Sequence, residues 1–166
     1  KCNITCVVTV ANDIPEVIHH FRTRKEDFSY LCLDIGDFGT DIGISRCFSE
    51  GFAFVASNLN KGKNIFIHCA NGSNRSPTFL IAFLMHHFHI SLRNALKIVL
   101  NRRPHIMPMK DNRLELLRFE HHLIGEDPTA FSSDKPYSKS SINEKTFMSM
   151  KRKAKRAFLR RLQRNR

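Results

Sequence analysis

The stretch Ile65–Ser76, "IFIHCANGSNRS", constrains the fold more than any other part of the chain. A short apolar run stops at His68-Cys69. A small polar loop containing Gly72 follows, and beyond Arg75 the chain opens into a second apolar run, "SPTFLIAFLMHHFH". The first run has the length of a buried strand and the second that of a buried helix. Pro77 sits where a first helical turn tolerates proline. A strand, a tight loop and a helix in this order belong to a layered α/β architecture.

The rest of the chain extends that pattern. "ITCVVTV", Ile4–Val10, is β-branched and apolar and predicts a buried strand. Pro15 opens a short helix, "PEVIHHFRTRK", and "YLCLDI", Tyr30–Ile35, predicts a second strand. The loop "GDFGTDIG" follows. Phe48, Phe52, Val55, Ala56 and Leu59 then recur at helical spacing and predict a helix from about Ile44 to Asn60. After the cysteine loop and its helix, Ser91 is the expected N-cap of "LRNALKIVLNRR", which Pro104 ends. "DNRLELLRFEHHLI" is the last helix of this region, with Gly125 expected just past its end. Strands alternate with helices and then helices dominate, so the expected fold is α/β, a central, mainly parallel sheet flanked by helices.

Composition narrows the classes. The chain has 166 residues and a hydrophobic fraction of 42%, enough for one ordinary core. No apolar stretch approaches the roughly 20 residues needed to span a bilayer, and no secretory pattern opens the chain. Cys2, Cys6, Cys32, Cys47 and Cys69 have neither CxxC nor zinc-finger spacing. A disulfide framework and a metal site are therefore not expected, and a reducing compartment, cytoplasm or nucleus, is. The net charge of +12 is uneven: residues 151–166 carry nine Lys/Arg and no acid, which leaves the remainder near +3. Residues 126–143, rich in Ser, Pro and Asp, read as a linker.

The chemistry lies in the cysteine loop. In an open parallel sheet ligands collect beyond the carboxyl ends of strands, where Cys69 is placed. Ala70, Asn71, Gly72, Ser73 and Asn74 are small and polar. A tight loop ahead of a helix N-terminus turns several backbone N–H groups on one anion. Arg75 adds a planar fork that can hold two phosphate oxygens. The same positive field favours a thiolate at Cys69, which is a nucleophile toward a bound phosphate monoester. The Ser76 hydroxyl is placed to donate to that thiolate. His68 is expected to orient the loop, since a thiolate needs no base.

"HCANGSNRS" matches the HCxxGxxR[ST] signature of the cysteine-dependent protein tyrosine phosphatase superfamily, and "HCANGSNRSPTFLIAFLM" resembles its dual-specificity branch. The resemblance runs from about Ile4 to Gly125 and includes "YLCLDIGD", "RRPHIMP" and "LLRFEHHL". It implies a phosphatase domain over residues 1–125, a phosphocysteine intermediate, no cofactor, and phosphoprotein substrates bearing phosphotyrosine, phosphoserine or phosphothreonine. It also implies an aspartic acid that protonates the leaving oxygen. Asp37, in the glycine-flanked loop 32 positions before Cys69, is favoured. Asp34, inside the predicted strand, and Asp41, in a helix-capping position, are the alternatives.

The chain departs from relatives in three places. They usually carry an "LYLG"-like strand before the first one here, so a preceding segment is expected. They commonly show Pro-Asn where this chain has Pro108-Met109, and more often have Ala and Ser where it has Asn71 and Asn74. In the basic tail, 144–166, Met150, Ala154, Phe158 and Leu162 recur four apart. An amphipathic basic helix there suits a polyanion, a membrane surface or a partner helix, and "KRKAKR" resembles a nuclear import signal. Two rival functions remain: a phosphatase for a non-protein substrate such as an RNA 5′ end or a phosphoinositide, and a silent module that binds phosphoproteins.

Overall fold

The computed structural model describes residues 3–24, 26–37, 43–126 and 144–164. Three strands, β1 (Ile4–Val10), β2 (Ser29–Leu33) and β3 (Asn64–His68), form one parallel sheet in the order β2-β1-β3. β1 is central and is buried from Cys6 to Val10. A parallel strand covered on both faces needs such a continuous apolar run.

The parallel connections run through helices α1 (Pro15–Thr23) and α2 (Phe48–Asn60), the latter entered through a 3₁₀ turn at Ile44–Cys47. Alternation along β2 sorts the two faces. Tyr30 stacks on Phe21 of α1, with ring centroids 5.5 Å apart. Leu33 points the other way, into the core beneath α2 and α3 (Arg75–Phe88). There Phe48, Phe52, Phe79 and Phe83 pack ring to ring. α2 can approach this closely because position 51 is glycine: a Cβ on Gly51 would stand 2.4 Å from Phe79 Cε2.

Helices α4 (Leu92–Arg102) and α5 (Lys110–Glu126) complete the layer. Ser91 caps α4 as its sequence predicts, its Oγ accepting from the Asn94 N–H at 3.4 Å. Buried Glu120 of α5 accepts the Leu92 N–H at 2.7 Å and so ties α5 to the start of α4.

Three boundaries differ from the sequence reading. β2 ends at Leu33, so Asp34 lies beyond the strand and not inside it. α3 begins at Arg75, which draws the arginine of the loop into the first helical turn. α5 continues through Gly125 to Glu126; nothing approaches a Cβ at that position, so the glycine is tolerated without acting as a stop. Asp41 and nearly all of the 126–143 stretch lie outside the described residues.

Residues 144–164 form a long helix, α6, which lies against α4. Phe147 is fully buried among Leu92, Leu96, Pro108 and Leu116, with the Arg113 guanidinium 5.1 Å from its ring centre. Ala154, two turns on, is buried as well, whereas Leu159 is exposed. Truncating a buried phenylalanine to alanine costs about 3–5 kcal/mol. Phe147→Ala should therefore lower the thermal midpoint of the whole chain by several degrees. An unchanged midpoint would mean that α6 does not contribute to the core.

Candidate active site

β1 and β3 end side by side, with Thr9 in register with His68. The segments leaving β1, β2 and β3 meet there at the N-terminus of α3. The loop from Cys69 to Asn74 curls at Gly72, whose φ of +62° is a left-handed conformation that glycine adopts at no steric cost. A Cβ on Gly72 would also lie 2.8 Å from an Arg103 Nη atom, the mobile end of an exposed side chain, so the positive φ is what calls for glycine here.

Cys69 forms the floor and is 6% exposed. Burial opposes its ionisation. The Ser76 hydroxyl at 3.3 Å, the Ser76 and Gly72 N–H groups and the Arg75 charge together outweigh that effect, and the thiol sits below its ordinary pKa. Cys6 shows what burial does without such donors, since its thiol is pushed up despite nearby Lys63. The loop is thus built to hold negative charge.

Arg75 is 1% exposed. Its Nη1 donates to Asp13 Oδ1 at 2.7 Å and to the Ile35 carbonyl at 3.0 Å, and its Nη2 donates to Asp13 Oδ2 at 3.1 Å. Burial alone would disfavour the guanidinium charge. The Asp13 hydrogen bonds and the charges of Asp37 and Asp13 reverse this and raise the Arg75 pKa. In return Arg75 holds the Asp13 carboxyl below its usual range. A guanidinium has two usable edges. Asp13 takes the Nη1/Nη2 edge. On the other edge Nε is buried with no hydrogen-bond partner, and Nη2 lies 3.4 Å from Asp37 Oδ2. That second edge is the one able to bind two oxygens of a single anion.

Asp37 is thus brought to the phosphate loop, where Asn74 Nδ2 also donates to its Oδ1 at 2.8 Å. Asp34 is not. Its side chain is exposed, and it lies in a cleft with Asn12, Pro15 and Ile18 near α1. His68 stands behind the loop. Its Nδ1 faces the Cys69 carbonyl at 3.3 Å, and its Nε2 faces Thr9 Oγ1 at 2.9 Å. A carbonyl only accepts, so Nδ1 carries the proton and Nε2 accepts from Thr9, which itself accepts from the Tyr30 hydroxyl at 3.0 Å. Burial lowers the His68 pKa against the pull of the Cys69 carbonyl. The imidazole is thus held at both nitrogens behind the loop.

Sequence reasoning missed Asp13. Its signal was its place just beyond the carboxyl end of β1, the same rule that singled out Cys69. Ala70 and Asn71 line the exposed rim, and a cavity of about 500 Å³ adjoins Cys69, walled by Leu80, Leu84 and Ile98 with Arg102 and Arg103 beside them. Among the described residues no group of three His, Cys, Asp or Glu side chains could hold a metal ion, and no helix is long and apolar enough to cross a membrane.

This constellation on a parallel sheet defines the phosphate-loop class of cysteine phosphatase folds. Residues 1–122 match the family model "Dual specificity phosphatase, catalytic domain". The chain belongs to that family, within the cysteine-dependent protein tyrosine phosphatase superfamily. It is 30% identical to human Dual specificity protein phosphatase 9 over 127 residues, 76% of this chain and 32% of the relative. The chain thus spans about a third of the length of the curated relatives it matches. The crystal structure of Tk-PTP in the active form superposes with a TM-score of 0.62 at 27% identity, covering 72% of this chain and 80% of that one. PTPMT1 in complex with PI(5)P gives 0.60 at 19% identity over 75% and 81%, a likeness of fold alone.

The thiol geometry yields a direct test. The rate of iodoacetamide alkylation at Cys69 should follow a titration whose midpoint lies below that of an ordinary cysteine. Ser76→Ala removes one donor to the sulfur and should move the midpoint upward. A midpoint that stays put would remove Ser76 from the thiolate's environment.

Proposed function

We propose that this domain is a dual-specificity protein phosphatase that hydrolyses phosphotyrosine and phosphoserine or phosphothreonine through a phosphocysteine. One observation carries the reading: the lowered Cys69 thiol shares its loop with a buried, unpartnered Nε of Arg75. An anionic nucleophile and an unused cationic donor converge where a phosphate's oxygens would sit.

The chemistry follows from those positions. Loop N–H groups and the Nε/Nη2 edge of Arg75 hold the non-bridging oxygens of the substrate. The Cys69 thiolate attacks phosphorus, an S–P bond forms and the bridging P–O bond breaks. Asp37, protonated, gives its proton to the departing oxygen. In the second half Asp37, now a carboxylate, takes a proton from water as the water oxygen attacks phosphorus. The S–P bond breaks, inorganic phosphate leaves, and the Ser76 hydroxyl stabilises the returning thiolate. Ala70 and Asn71 at the exposed rim suit a shallow cleft that admits short as well as long phosphorylated side chains.

Cys69→Ser should abolish turnover of p-nitrophenyl phosphate, because a serine hydroxyl stays protonated where a thiolate forms. Asp37→Asn should cost about 10² to 10⁴ in rate for a poor alkyl leaving group and much less for an activated aryl one. A panel of phosphopeptides, phosphoinositides and 5′-phosphorylated RNA, assayed with both variants, measures this. Preferential turnover of a lipid or RNA phosphate would replace the protein substrate. Binding without turnover would make the domain a phosphoprotein-capture module.

For α6 we propose a polyanion-binding role. Lys153, Lys155, Arg156, Arg160 and Arg161 are exposed and, among the described residues, meet no carboxylate. Lys151 reaches Met107 Sδ at 3.3 Å, and the Met107 N–H donates to the Ser73 carbonyl at 2.7 Å, so the helix begins its basic run beside the phosphate loop. Charge reversal at Lys153, Arg156 and Arg160 should weaken binding to anionic vesicles or RNA and flatten its salt dependence. It should leave aryl phosphate hydrolysis unchanged. Unaltered retention of both polyanions would place their site elsewhere.

A further inference from the structure

The side chain of Asn74 is used in an unusual way for its position. Asn74 is the N-cap of α3, where an asparagine ordinarily turns back to accept an N–H from the first helical turn. Here the side chain makes no capping bond. It reaches outward to two other segments of the chain. Its Nδ2 donates to Asp37 Oδ1 at 2.8 Å. Its Oδ1 accepts the Met109 N–H at 2.8 Å and Asn112 Nδ2 at 2.8 Å. The orientation of the amide is determined by its partners. A backbone N–H only donates, so the oxygen must face Met109, and the nitrogen then faces the carboxylate of Asp37.

The loop carrying the acid, the phosphate loop and the start of α5 are therefore joined at one amide. The next residue, Arg75, approaches the other oxygen of the same carboxylate, Asp37 Oδ2, at 3.4 Å. The two contacts have different fates during the reaction proposed above. When the Nε/Nη2 edge of Arg75 takes up a phosphate, its hold on Oδ2 is released. The hold of Asn74 on Oδ1 is not, because that amide is anchored from behind by Met109 and Asn112.

We infer that Asn74 is the positioning residue of the general acid. It keeps Oδ1 of Asp37 bonded and presents Oδ2, with its proton, to the leaving oxygen. This rests on the assignment of Asp37 as the acid. The residue type matters. A serine here would offer one short hydroxyl, which cannot span both Asp37 and the backbone of Met109. An asparagine supplies a donor and an acceptor on opposite sides of one planar group.

Asn74→Asp separates the two sides. It is nearly isosteric and keeps an oxygen for Met109 and Asn112, but it replaces the donor facing Asp37 with a second carboxylate oxygen. Asn74→Ser removes both sides and serves as an independent variant. The experiment is steady-state hydrolysis of a series of aryl and alkyl phosphates of rising leaving-group pKa. It is run on the full chain, in the wild-type and Asp37→Asn backgrounds, with thermal melts as the folding control.

For folded Asn74→Asp the expected loss is roughly 10- to 100-fold in kcat on the poorest leaving groups, and little on the best. In the Asp37→Asn background the same substitution should cause no further loss, because its effect runs through that carboxyl. An equal loss across the series, or full additivity with Asp37→Asn, would reduce Asn74 to a structural brace of the phosphate loop and overturn the inference. If Asp37→Asn shows leaving-group dependence and neither Asn74 variant does, the inference fails alone. If Asp37→Asn itself shows none, the acid is misassigned and both readings fall together.

Discussion

The buried guanidinium of Arg75 is the interaction on which the rest of this domain depends. A cation removed from water costs several kcal/mol unless its partners are close and well aimed. The partners come from two strand ends: Asp13 from the segment after β1, the Ile35 carbonyl and Asp37 from the segment after β2. Arg75 itself opens α3, directly after the loop that leaves β3. Three segments that never meet in sequence are held at one point by one side chain, and the phosphate loop has its shape because its last member is fixed there.

That arrangement also divides labour within one residue. Asp13 satisfies the charge from the outside, with its own side chain 46% exposed. The Nε edge keeps a donor unspent inside the site. The arginine stays charged and oriented while, on its second edge, Nε has no hydrogen-bond partner and Nη2 faces Asp37. Cys69 benefits through the same field: its thiol is lowered despite burial, whereas Cys6, buried in the neighbouring strand, is raised.

Features carried by local pattern were legible in the sequence. The apolar runs ending at Cys69 marked β3, the glycine-containing segment marked the loop, and Asp37 lay in the one glycine-flanked stretch that returns to it. Features carried by long-range pairing were not. Asp13 goes unnoticed because its bond to Arg75 exists only once β1 and α3 are placed side by side. Asn74 reads as a small polar member of the loop, and nothing local reveals that its amide is taken by Asp37, Met109 and Asn112. The apolar stripe of α6 was visible at four-residue spacing. The packing of Phe147 between α4 and α5 was not, because the groove that receives it is assembled from Leu92, Pro108 and Leu116. Gly125 misled for the opposite reason: a glycine favours a helix end locally, and α5 runs on through it.

Whether phosphorus passes through sulfur decides the mechanism most directly. Rapid acid quench during turnover of an aryl phosphate, followed by peptide mapping of the protein, detects the intermediate itself. A phosphoryl group on the peptide containing Cys69, absent from Cys69→Ser and depleted as the substrate runs out, is the predicted result. Turnover with phosphate on no residue, or on a residue other than Cys69, would contradict it.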